Sequence, residues 1–444
     1  MTLSTYPYHP SCPASPVYRL FAEGTEQFVY HTTAADFAAF GTDSPIRVEV
    51  TLPVEAGAAT VHPLRRGISA ERAGDAIRFT LPGAGNYLLQ VEGLNPLFLY
   101  VNPLDLHLPA DGANVRRIPA GTVMDAGKVT LHSGETLCIE PGAVLRGAVR
   151  ISNAENVTLC GGGILDGGWV GAQVKPGART RLLVAEGCQN VTIRDIILIQ
   201  PEVWMLVIGA CRDVLIQNVR EIGQVMASDG IDVVGSRDVL IENCCLRNND
   251  DCIVVKSCPG DSLVGLEWGD RRVSVDWRGD VENVTARGCI LWNDQAGNAL
   301  EIGHELQAEF VRNIRFEDID ILCVHGHGAP FSIHNGDRAR VENVVYENIR
   351  VEHHFDKLVD FRIIRSRYNH DEERGQVRNI TLRDIDVTES VYNPGYTISV
   401  IGGWDAQHTI EGVHFENFRL GGRQVLKPED LPLYTCHCRE ITFR

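Results

Sequence analysis

No stretch of 18 consecutive apolar residues occurs in this chain of 444 residues, so we expect no membrane-spanning helix. Basic residues are in deficit as well: 41 lysines and arginines stand against 58 aspartates and glutamates, and the net charge is -17. Nucleic acids and anionic membranes are bound by basic surfaces, which this composition does not supply. The first residues, MTLSTYPYHPSC, lack the basic and apolar regions of a secretory signal. The sequence therefore predicts a soluble cytoplasmic protein with no nucleic-acid or membrane partner.

The cysteine pattern is not typical of a disulfide framework. Thirteen is an odd number, and many of the cysteines lie in strand-like runs such as VTLCGGG and RGCILWN. Such positions are typical of reduced thiols in the core of a cytoplasmic protein. The HGHG segment with His325 and His327 resembles a metal pair but has no partner pair at zinc spacing, and we interpret it as a turn. We accordingly expect no metal and no cofactor, and the sequence leaves a homo-oligomer open.

Helical patterns are missing too. No amphipathic stripe of about 10 to 15 residues separates the strand-like segments, which argues against a βα barrel or a doubly wound sheet. From residue 156 a short alternating phrase recurs instead, for example ENVTLCGGG, QNVTIRDII, RDVLIENCC and RNITLRDID. The central aliphatic residues of the repeats are Val157, Val191, Val214, Val239, Val284, Ile314, Val344, Ile380, Val413 and Ile441.

The spacing of these repeats determines the predicted fold. The intervals run from 23 to 45 residues, which fits coils of one size that carry loops of different length. Each repeat begins with Asn, Asp or another turn-forming residue and continues with the alternation of a half-buried strand. Tight two-residue turns between the strands and the blade signatures of a β-propeller are both missing. The sequence predicts an all-β protein built on a right-handed parallel β-helix, in which successive coils stack.

The first part of the chain has a different pattern. Segments such as PIRVEVTLP and PLFLYVNP are short alternating strands separated by Gly, Pro and acidic turns, as in a β-sandwich. We therefore predict an N-terminal β-sandwich domain over residues 1–105 and a β-helix domain over residues 106–444. A small domain in front of a solenoid can cover its exposed strand edges, so we expect this domain to cap the N-terminal end of the β-helix.

Two polar turns carry the carboxylates that indicate chemistry. Asp229 lies in one turn, and Asp250 and Asp251 follow 21 and 22 residues later, close to the length of one coil. Positions one coil apart lie above one another at a strand spacing of about 4.8 Å, so the three side chains should converge. Because three carboxylates so close cannot all be ionised comfortably, at least one pKa should rise. A carboxylic acid beside carboxylates is the equipment of glycoside hydrolysis.

The segment SDGIDVVGSRDVLIENCCLRNNDDCIVVKS, which contains these turns, resembles the signature region of polygalacturonase-type enzymes, glycoside hydrolase family 28. The resemblance extends over residues 140–440, includes QPEVWMLV, and implies an inverting glycosidase on a β-helix. It implies that Asp250 is the general acid and that Asp229 and Asp251 position and deprotonate the attacking water. In EIGHE, it places Gly303 and His304 at the family's GHG motif, with His304 helping to set the protonation of the carboxylates.

The sequence also departs from the motifs of that family. The NTD motif has lost its Asn in ASD, and Glu305 replaces the last Gly of GHG. At the RIK motif, whose cations bind a galacturonate carboxylate, this chain has Ser332 and His334 in PFSIHNGD. The loss removes a charge-assisted contact with an acidic sugar. Another arginine can replace it from a different direction, and the candidates are Arg338, Arg340, Arg362, Arg365 and Arg367. We therefore expect a related glycosidase whose substrate is neutral.

Aromatic faces stack on sugar rings, and tryptophans in long insertions are candidates for a subsite wall. Polar and charged residues near the motifs are candidates for sugar hydroxyl contacts. The predicted substrate-binding residues are Trp204, Lys256, Trp268, Trp277, Glu301, His334 and Arg338. A cytoplasmic location implies that the substrates are imported oligosaccharides and that cleavage proceeds from chain ends.

Three alternatives remain at this stage. The first is a hydrolase of galacturonan or pectin fragments that binds the uronate through other arginines. The second is a uronate lyase or epimerase, which would need calcium, held by the three aspartates, and a basic Arg or Lys as proton abstractor. The third is a carbohydrate-binding β-helix without catalysis.

Overall fold

The alternating segments fold into a small β-sandwich followed by a long stack of parallel coils. The computed structural model describes residues 3–53, 57–168, 180–260, 276–389 and 398–444. The strands of the sandwich are β1 (Leu3–Thr5), β2 (Arg19–Ala22), β3 (Thr25–Gln27), β4 (Val29–His31), β5 (Asp36–Thr42), β6 (Ile46–Thr51), β7 (Ala59–His62), β8 (Glu71–Ala73), β9 (Ala76–Leu81), β10 (Gly85–Val91) and β11 (Leu97–Asn102).

These strands form two sheets that face each other. One has the order β1-β5-β11-β10-β7, with β4 paired to β5, and the other has the order β3-β2-β6-β9-β8. The apolar residues at alternate strand positions fill the space between the sheets, as the two-residue period of a strand requires. A short 3-10 helix, Leu64–Arg66, follows β7. The predicted boundary at residue 105 falls in the segment between the last sandwich strand and the first coil strand.

The coils contain the remaining strands. They are β12 (Val115–Ile118), β13 (Val123–Leu131), β14 (Thr136–Ile139), β15 (Val144–Ser152), β16 (Glu155–Cys160), β17 (Ile164–Asp166), β18 (Leu183–Glu186), β19 (Gln189–Arg194), β20 (Ile197–Ile199), β21 (Leu206–Gly209), β22 (Arg212–Gln217), β23 (Arg220–Ile222), β24 (Ile231–Val234), β25 (Arg237–Glu242), β26 (Cys245–Asn248), β27 (Ile253–Ser257), β28 (Val281–Arg287), β29 (Ile290–Asn293), β30 (Leu300–Leu306), β31 (Phe310–Val324), β32 (Phe331–Asn335), β33 (Arg340–Val351), β34 (Val359–Ile363), β35 (Gln376–Val387), β36 (Ser399–Gly402), β37 (Ile410–Leu420), β38 (Arg423–Gln424), β39 (Leu433–Cys436) and β40 (Cys438–Phe443). Another 3-10 helix, Pro428–Asp430, precedes β39.

The stacking confirms the predicted right-handed parallel β-helix. In the middle of the stack each strand pairs in parallel with the third strand after it, so one coil contributes three strands. The ten repeat aliphatics lie in direct register from Val157 to Ile441, each paired with the next. The first nine of them are buried, which makes them the central row of the core.

Asparagines stack at the turn before this row of strands. Asn156, Asn190, Asn283, Asn313 and Asn343 all have left-handed φ angles, which Asn tolerates better than most residues. Their amides bond along the stack: the Nδ2 of Asn190 donates to Asn156 at 2.6 Å, and the Nδ2 of Asn313 donates to Asn283 at 3.2 Å. The repeated Asn thus fixes the turn and links neighbouring coils.

The sandwich lies along the side of the β-helix, so the expectation that it caps the N-terminal end was wrong. The coils present an outward apolar row on short strands such as Ile197–Ile199, and an aromatic face of the sandwich covers that row. Polar contacts extend the interface to distant coils: Arg220 donates to Asn86 at 2.9 Å, and the His62 ring lies 2.5 Å from Glu352. Apolar rows on the flank therefore determined where the sandwich packs.

All thirteen cysteines are free thiols, and eleven of them are buried. This agrees with the expectation of reduced core thiols. Among the described residues no helix has the length and apolar character that crossing a bilayer requires.

Candidate active site

The three predicted carboxylates meet on one side of the β-helix. Asp229 precedes β24, and Asp250 and Asp251 precede β27; these two strands pair in register, Ile231 with Ile253. The backbone N–H of Gly230 donates to the Asp251 carbonyl at 2.8 Å, which locks the two turns together. One carboxylate oxygen from each of the three aspartates lies within 4.8 Å of the other two. The spacing of one coil thus converges them as predicted.

The aspartates line a cavity of about 720 Å³. Of the predicted site residues, this cavity brings together Trp204, Asp229, Asp250, Asp251, Lys256 and His304. Its remaining lining residues are Glu202, Val203, Val225, Met226, Ala227, Ala296, Gly297, Asn298, Gly303, Glu305, Arg367 and Tyr368. Volumes of about 300–1,000 Å³ are typical of sites for small ligands.

Lys256 supports Asp229 as an anion. Its ammonium donates to Asp229 at 2.8 Å and to Asp232 at 2.9 Å, and all three side chains are buried. Burial raises the pKa of Asp229, and the ammonium opposes this rise. Burial alone would lower the pKa of Lys256, but Asp229 and Asp232 raise it well above its usual range. Lys256 therefore carries a positive charge that holds Asp229 in place.

Asp250 is a carboxyl that keeps its proton at neutral pH. Burial, followed by the charges of Asp229 and Asp251, raises the pKa of Asp250 to about 9. Its one hydrogen bond within the described part of the chain comes from the Asp251 N–H at 3.0 Å, so nothing comparable to Lys256 stabilises its anion. At neutral pH, Asp250 thus holds a proton that it can donate into the cavity.

Asp251 is held by the following coil. The backbone N–H and the Nδ2 of Asn298 donate to the same oxygen of Asp251, at 2.7 and 3.0 Å. Burial, then the charges of Glu301 and Asp229, raises the pKa of Asp251 to about 8, and the amide of Asn298 opposes the rise. Two donors of Asn298 thus hold the Asp251 carboxyl, whereas the Asp250 carboxyl accepts one hydrogen bond within the described residues.

His304 enters the cavity from β30. Burial, together with the nearby charge of His334, lowers the pKa of His304 to about 4, so its ring is neutral at neutral pH. The residue before it, Gly303, has a φ of 131°, and a Cβ there would lie 2.1 Å from the carbonyl oxygen of His334. Glycine is therefore required at this step of the motif.

Buried charged side chains, those of His334, Glu301 and Asp360, pack behind the His304 ring. The His334 ring stacks on the His304 ring with centroids 4.6 Å apart. The two nitrogens of His334 lie 3.0 Å from Glu301 and 3.2 Å from Asp360. Burial alone would lower the pKa of His334, but Glu301 and Asp360 raise it to about 9. His334 is thus a buried cation between two anions, and neither it nor Glu301 lines the cavity, contrary to the prediction of sugar contacts.

Three other predicted substrate-binding residues have different outcomes. Trp277 is 1% exposed; its ring packs on Gly209, and its Nε1 donates to Glu186 at 3.0 Å. It is a core residue and does not form the predicted subsite wall. Arg338 pairs with Asp371 at 2.9 Å and does not line the cavity. Trp268 lies outside the described residues.

Trp204 does line the cavity, and two cations lie over its ring. The Lys256 ammonium is 4.0 Å from the centroid, and the Arg181 guanidinium is 4.4 Å from it. Because Trp204 is 6% exposed, little of its surface is open to a ligand. The ring thus fixes the Lys256 ammonium beside Asp229.

Sequence reasoning missed Asp232, Asp360 and Asn298, and it predicted Lys256 as a sugar contact and not as the partner of Asp229. Asp232 and Lys256 each interrupt a buried apolar strand, IDVV and IVVKS, and a charge in each of two neighbouring strands is a signal that predicts such a pair. Asp360 gives a similar signal in LVDF. Asn298, by contrast, lies in a loop without strand periodicity, and no sequence pattern indicates its bond to Asp251.

The comparisons with known proteins agree with this geometry. Residues 102–266 match the sequence model of Glycosyl hydrolases family 28, which confirms the resemblance for the first coils and the carboxylate turns. His304 lies beyond the match. No curated protein matches the chain. The family match and the acid–base arrangement support a glycosidase.

Solved structures with similar folds have low sequence identity. Dex49A from Penicillium minioluteum has a TM-score of 0.63 at 11% identity over 99% of this chain and 94% of that chain. An exopolygalacturonase from Thermotoga maritima has a TM-score of 0.52 at 16% identity over 69% of this chain and 79% of that chain. The polygalacturonase from Erwinia carotovora ssp. carotovora has a TM-score of 0.50 at 17% identity, over 75% and 90%. These likenesses show the shared β-helix fold.

Proposed function

We propose that the protein hydrolyses a glycosidic bond in an oligo- or polysaccharide, using Asp250 as the general acid. Inversion is proposed from the likeness to glycoside hydrolase family 28 and not from the separation of the carboxylates. The observation that carries this proposal is the protonated Asp250 within 4.8 Å of two other carboxylates in one cavity. Asp250 donates its proton to the leaving glycosidic oxygen, while Asp229 and Asp251 orient a water and Asp229, paired with Lys256, accepts its proton. Lys256 keeps Asp229 available as a base.

A neutral sugar fits the charge of the cavity better than a uronate does. Five acidic residues line the cavity: Glu202, Asp229, Asp250, Asp251 and Glu305. The cations among its described lining residues are Lys256, whose ammonium is bound by two aspartates, and Arg367. A uronate carboxylate would meet repulsion from ionised members of this set, whereas sugar hydroxyls would find acceptors.

Arg367 supports the second candidate, a hydrolase of galacturonan fragments. Its side chain is exposed, lines the cavity and contacts the Tyr368 hydroxyl, so it is placed to bind a uronate carboxylate. A calcium-dependent lyase is less well supported, because the Lys256 ammonium already compensates the charge of Asp229, one of the three carboxylates that would hold calcium. Hydrolysis that continues after chelation would exclude the calcium-dependent version.

We further propose attack from chain ends and action in the cytoplasm. A cavity of about 720 Å³ has the size of a small-ligand site rather than of a groove for a long chain. The thirteen free thiols suit a reducing compartment. Release of single sugar units from the first minutes of reaction would support chain-end attack, and a ladder of internal fragments would contradict it.

The test is product analysis by mass spectrometry on a panel of galacturonides, rhamnogalacturonan fragments, glucans, galactans and fructans. We expect water to be added to a neutral substrate by the wild type and not by Asp250→Asn, with inverted anomers by NMR. Water added to galacturonides alone would establish the second candidate. An unsaturated product would indicate a lyase, and absence of any product with retained sugar binding would indicate a carbohydrate-binding protein.

A further inference from the structure

A cluster of metal-binding side chains lies at the ends of two neighbouring strands, outside the cavity. Cys323 is near the end of β31, His325 follows that strand, and His353 follows β33 in the next coil. The Cys323 sulfur and one ring nitrogen of each histidine lie within 4.8 Å of one another. Nδ1 of His325 and Nε2 of His353 are 2.9 Å apart.

The backbone holds the cluster together. The N–H of Val324 donates to the His353 carbonyl at 2.9 Å, and the N–H of Phe355 donates back to Val324 at 2.8 Å. The N–H of His325 donates to the carbonyl of Asn293 at 3.1 Å, in the preceding coil. The three potential ligands thus come from a hydrogen-bonded backbone and need only side-chain movement to meet at one point.

The donor set determines the kind of metal. Zinc binds imidazole nitrogen at about 2.0–2.1 Å and thiolate sulfur at about 2.3 Å, which puts tetrahedral ligand atoms roughly 3.3–3.7 Å apart. The cluster spans that distance, from 2.9 Å up to less than 4.8 Å. Two imidazoles and a thiolate suit zinc and its neighbours and not calcium or magnesium, which take oxygen ligands. Cys323 is buried and His325 is exposed, so solvent can reach a fourth position.

The cluster lies next to the loop that holds the catalytic carboxylates. The segment after His325 packs directly on that loop: a Cβ at Gly326 would lie 2.3 Å from the Gln295 carbonyl oxygen. Two residues beyond Gln295, Gly297 abuts Asp250, and Asn298 binds Asp251. A metal that joined the two coils here would limit the movement of the support for Asp251.

We propose that Cys323, His325 and His353 bind a divalent transition metal of the zinc class, which crosslinks two neighbouring coils beside the loop that holds Asp251. His325 therefore takes its partner from the next coil, and not from His327, which lies two residues away in the same turn. The sequence interpretation of HGHG as a simple turn missed this partner because the two histidines are 28 residues apart.

The test is titration of the full chain, stripped of metal by a chelator, with zinc in a calorimeter and with cobalt by absorption. We expect one bound ion per chain and a thiolate-to-cobalt charge-transfer band. Cys323→Ser and His353→Gln should each weaken binding by about 10–100-fold or more, since even changes outside the ligand shell have effects of that size. Cys323→Ser should also remove the charge-transfer band.

Two controls make the result specific. His327→Gln should bind metal as the wild type does, because this exposed neighbour is not in the cluster. Asp250→Asn should also bind normally, which separates this site from the aspartates of the cavity. Absence of saturable binding, or normal binding by both Cys323→Ser and His353→Gln with native circular dichroism, would overturn the proposal. Because no substrate is used, the result is independent of the proposed glycosidase activity.

Discussion

The imidazole of His304 stacks on the imidazole of His334 with centroids 4.6 Å apart, yet the two rings have opposite protonation states at neutral pH. Burial and the neighbouring imidazolium lower the pKa of His304 to about 4. Glu301 and Asp360 outweigh burial and raise the pKa of His334 to about 9. The His304 ring can therefore accept or donate a hydrogen bond in the cavity, while the His334 ring is a buried cation.

Replacing His334 should destabilise the protein in a pH-dependent way. His334→Gln leaves Glu301 without its buried cation, while Asp360 keeps its pair with Arg362. Leaving a buried carboxylate unpaired has a destabilising effect of about 3–5 kcal/mol. Because the folded-state pKa is raised, the stabilisation is fully present below the usual histidine pKa of about 6.5 and is lost as pH rises through about 9.

The measurement for His334→Gln is urea unfolding of both proteins from pH 6 to pH 10. The difference in the free energy of unfolding between wild type and variant should become smaller toward pH 10. A difference in the free energy of unfolding that stays constant with pH would show that the variant is destabilised by lost packing and not by lost charge.

Removing the proton donor should abolish catalysis without unfolding the chain. Asp250→Asn keeps the shape of the side chain but cannot donate a carboxyl proton, and loss of general acid catalysis lowers kcat by about 10²–10⁴-fold. Asp213→Asn, an exposed change on β22, is the matched control and should keep wild-type activity. Activity of Asp250→Asn within about threefold of the wild type would exclude Asp250 as the acid.

The same variant should be more stable than the wild type above pH 4. Burial and two neighbouring carboxylates raise the pKa of Asp250 to about 9, so the folded chain binds one more proton than the unfolded chain between about pH 4 and pH 9. The Asp250 carboxyl therefore makes the wild type less stable as the pH rises through this window. The side-chain amide of Asp250→Asn does not titrate, so the variant lacks this pH dependence. Thermal unfolding at several pH values should show a Tm difference that grows toward pH 9.

Lys256 should set the acidic limb of the activity profile. Lys256→Gln removes the ammonium that opposes the raised pKa of Asp229, so the base becomes protonated at a higher pH. The acidic limb of kcat/KM against pH should move upward, and activity at neutral pH should fall. Lys427→Gln, an exposed change, is the control. An unchanged limb in Lys256→Gln would mean that Asp229 is not the base.

Arg367 distinguishes the two candidate substrates. If the substrate is neutral, Arg367→Ala should leave kcat/KM nearly unchanged. A uronate substrate would lose a charge-assisted hydrogen bond of about 1.5–3 kcal/mol, which corresponds to about 10–100-fold in kcat/KM. The comparison of neutral and uronate oligosaccharides with this variant decides between them, with Arg338→Ala as control because Arg338 pairs with Asp371 outside the cavity.

The sequence predicted those features that repeat along the chain. The recurring Val and Ile residues predicted the stacked coils. The spacing of Asp229 and Asp251, which equals the length of one coil, predicted that they lie above one another. Features that depend on where a loop folds back were not predictable in this way. Trp277 belongs to a long insertion, where a tryptophan that packs inward has the same sequence pattern as one that faces a substrate.

The buried residues Glu301 and His334 show a second limit of prediction from the sequence. Glu301 and His334 are near the motif in sequence, and this proximity suggested sugar contacts. Alternation along β30 and β32 does not tell which of two polar residues is covered by the next coil, and His334 is covered. The polar positions in apolar strands, such as Asp232 and Asp360, do indicate buried pairs, but their partners emerge only from the coil register.

The register of the repeat row stays constant although the coils carry connections of very different length. A connection leaves the stack at a turn and returns to the same position, so its length has no effect on the distance between Asp229 and Asp250. The loops around the cavity can therefore change one at a time while the three aspartates keep their positions. Such a scaffold is suited to acquiring new sugar preferences through successive changes in its loops, each of which leaves the three clustered aspartates in place.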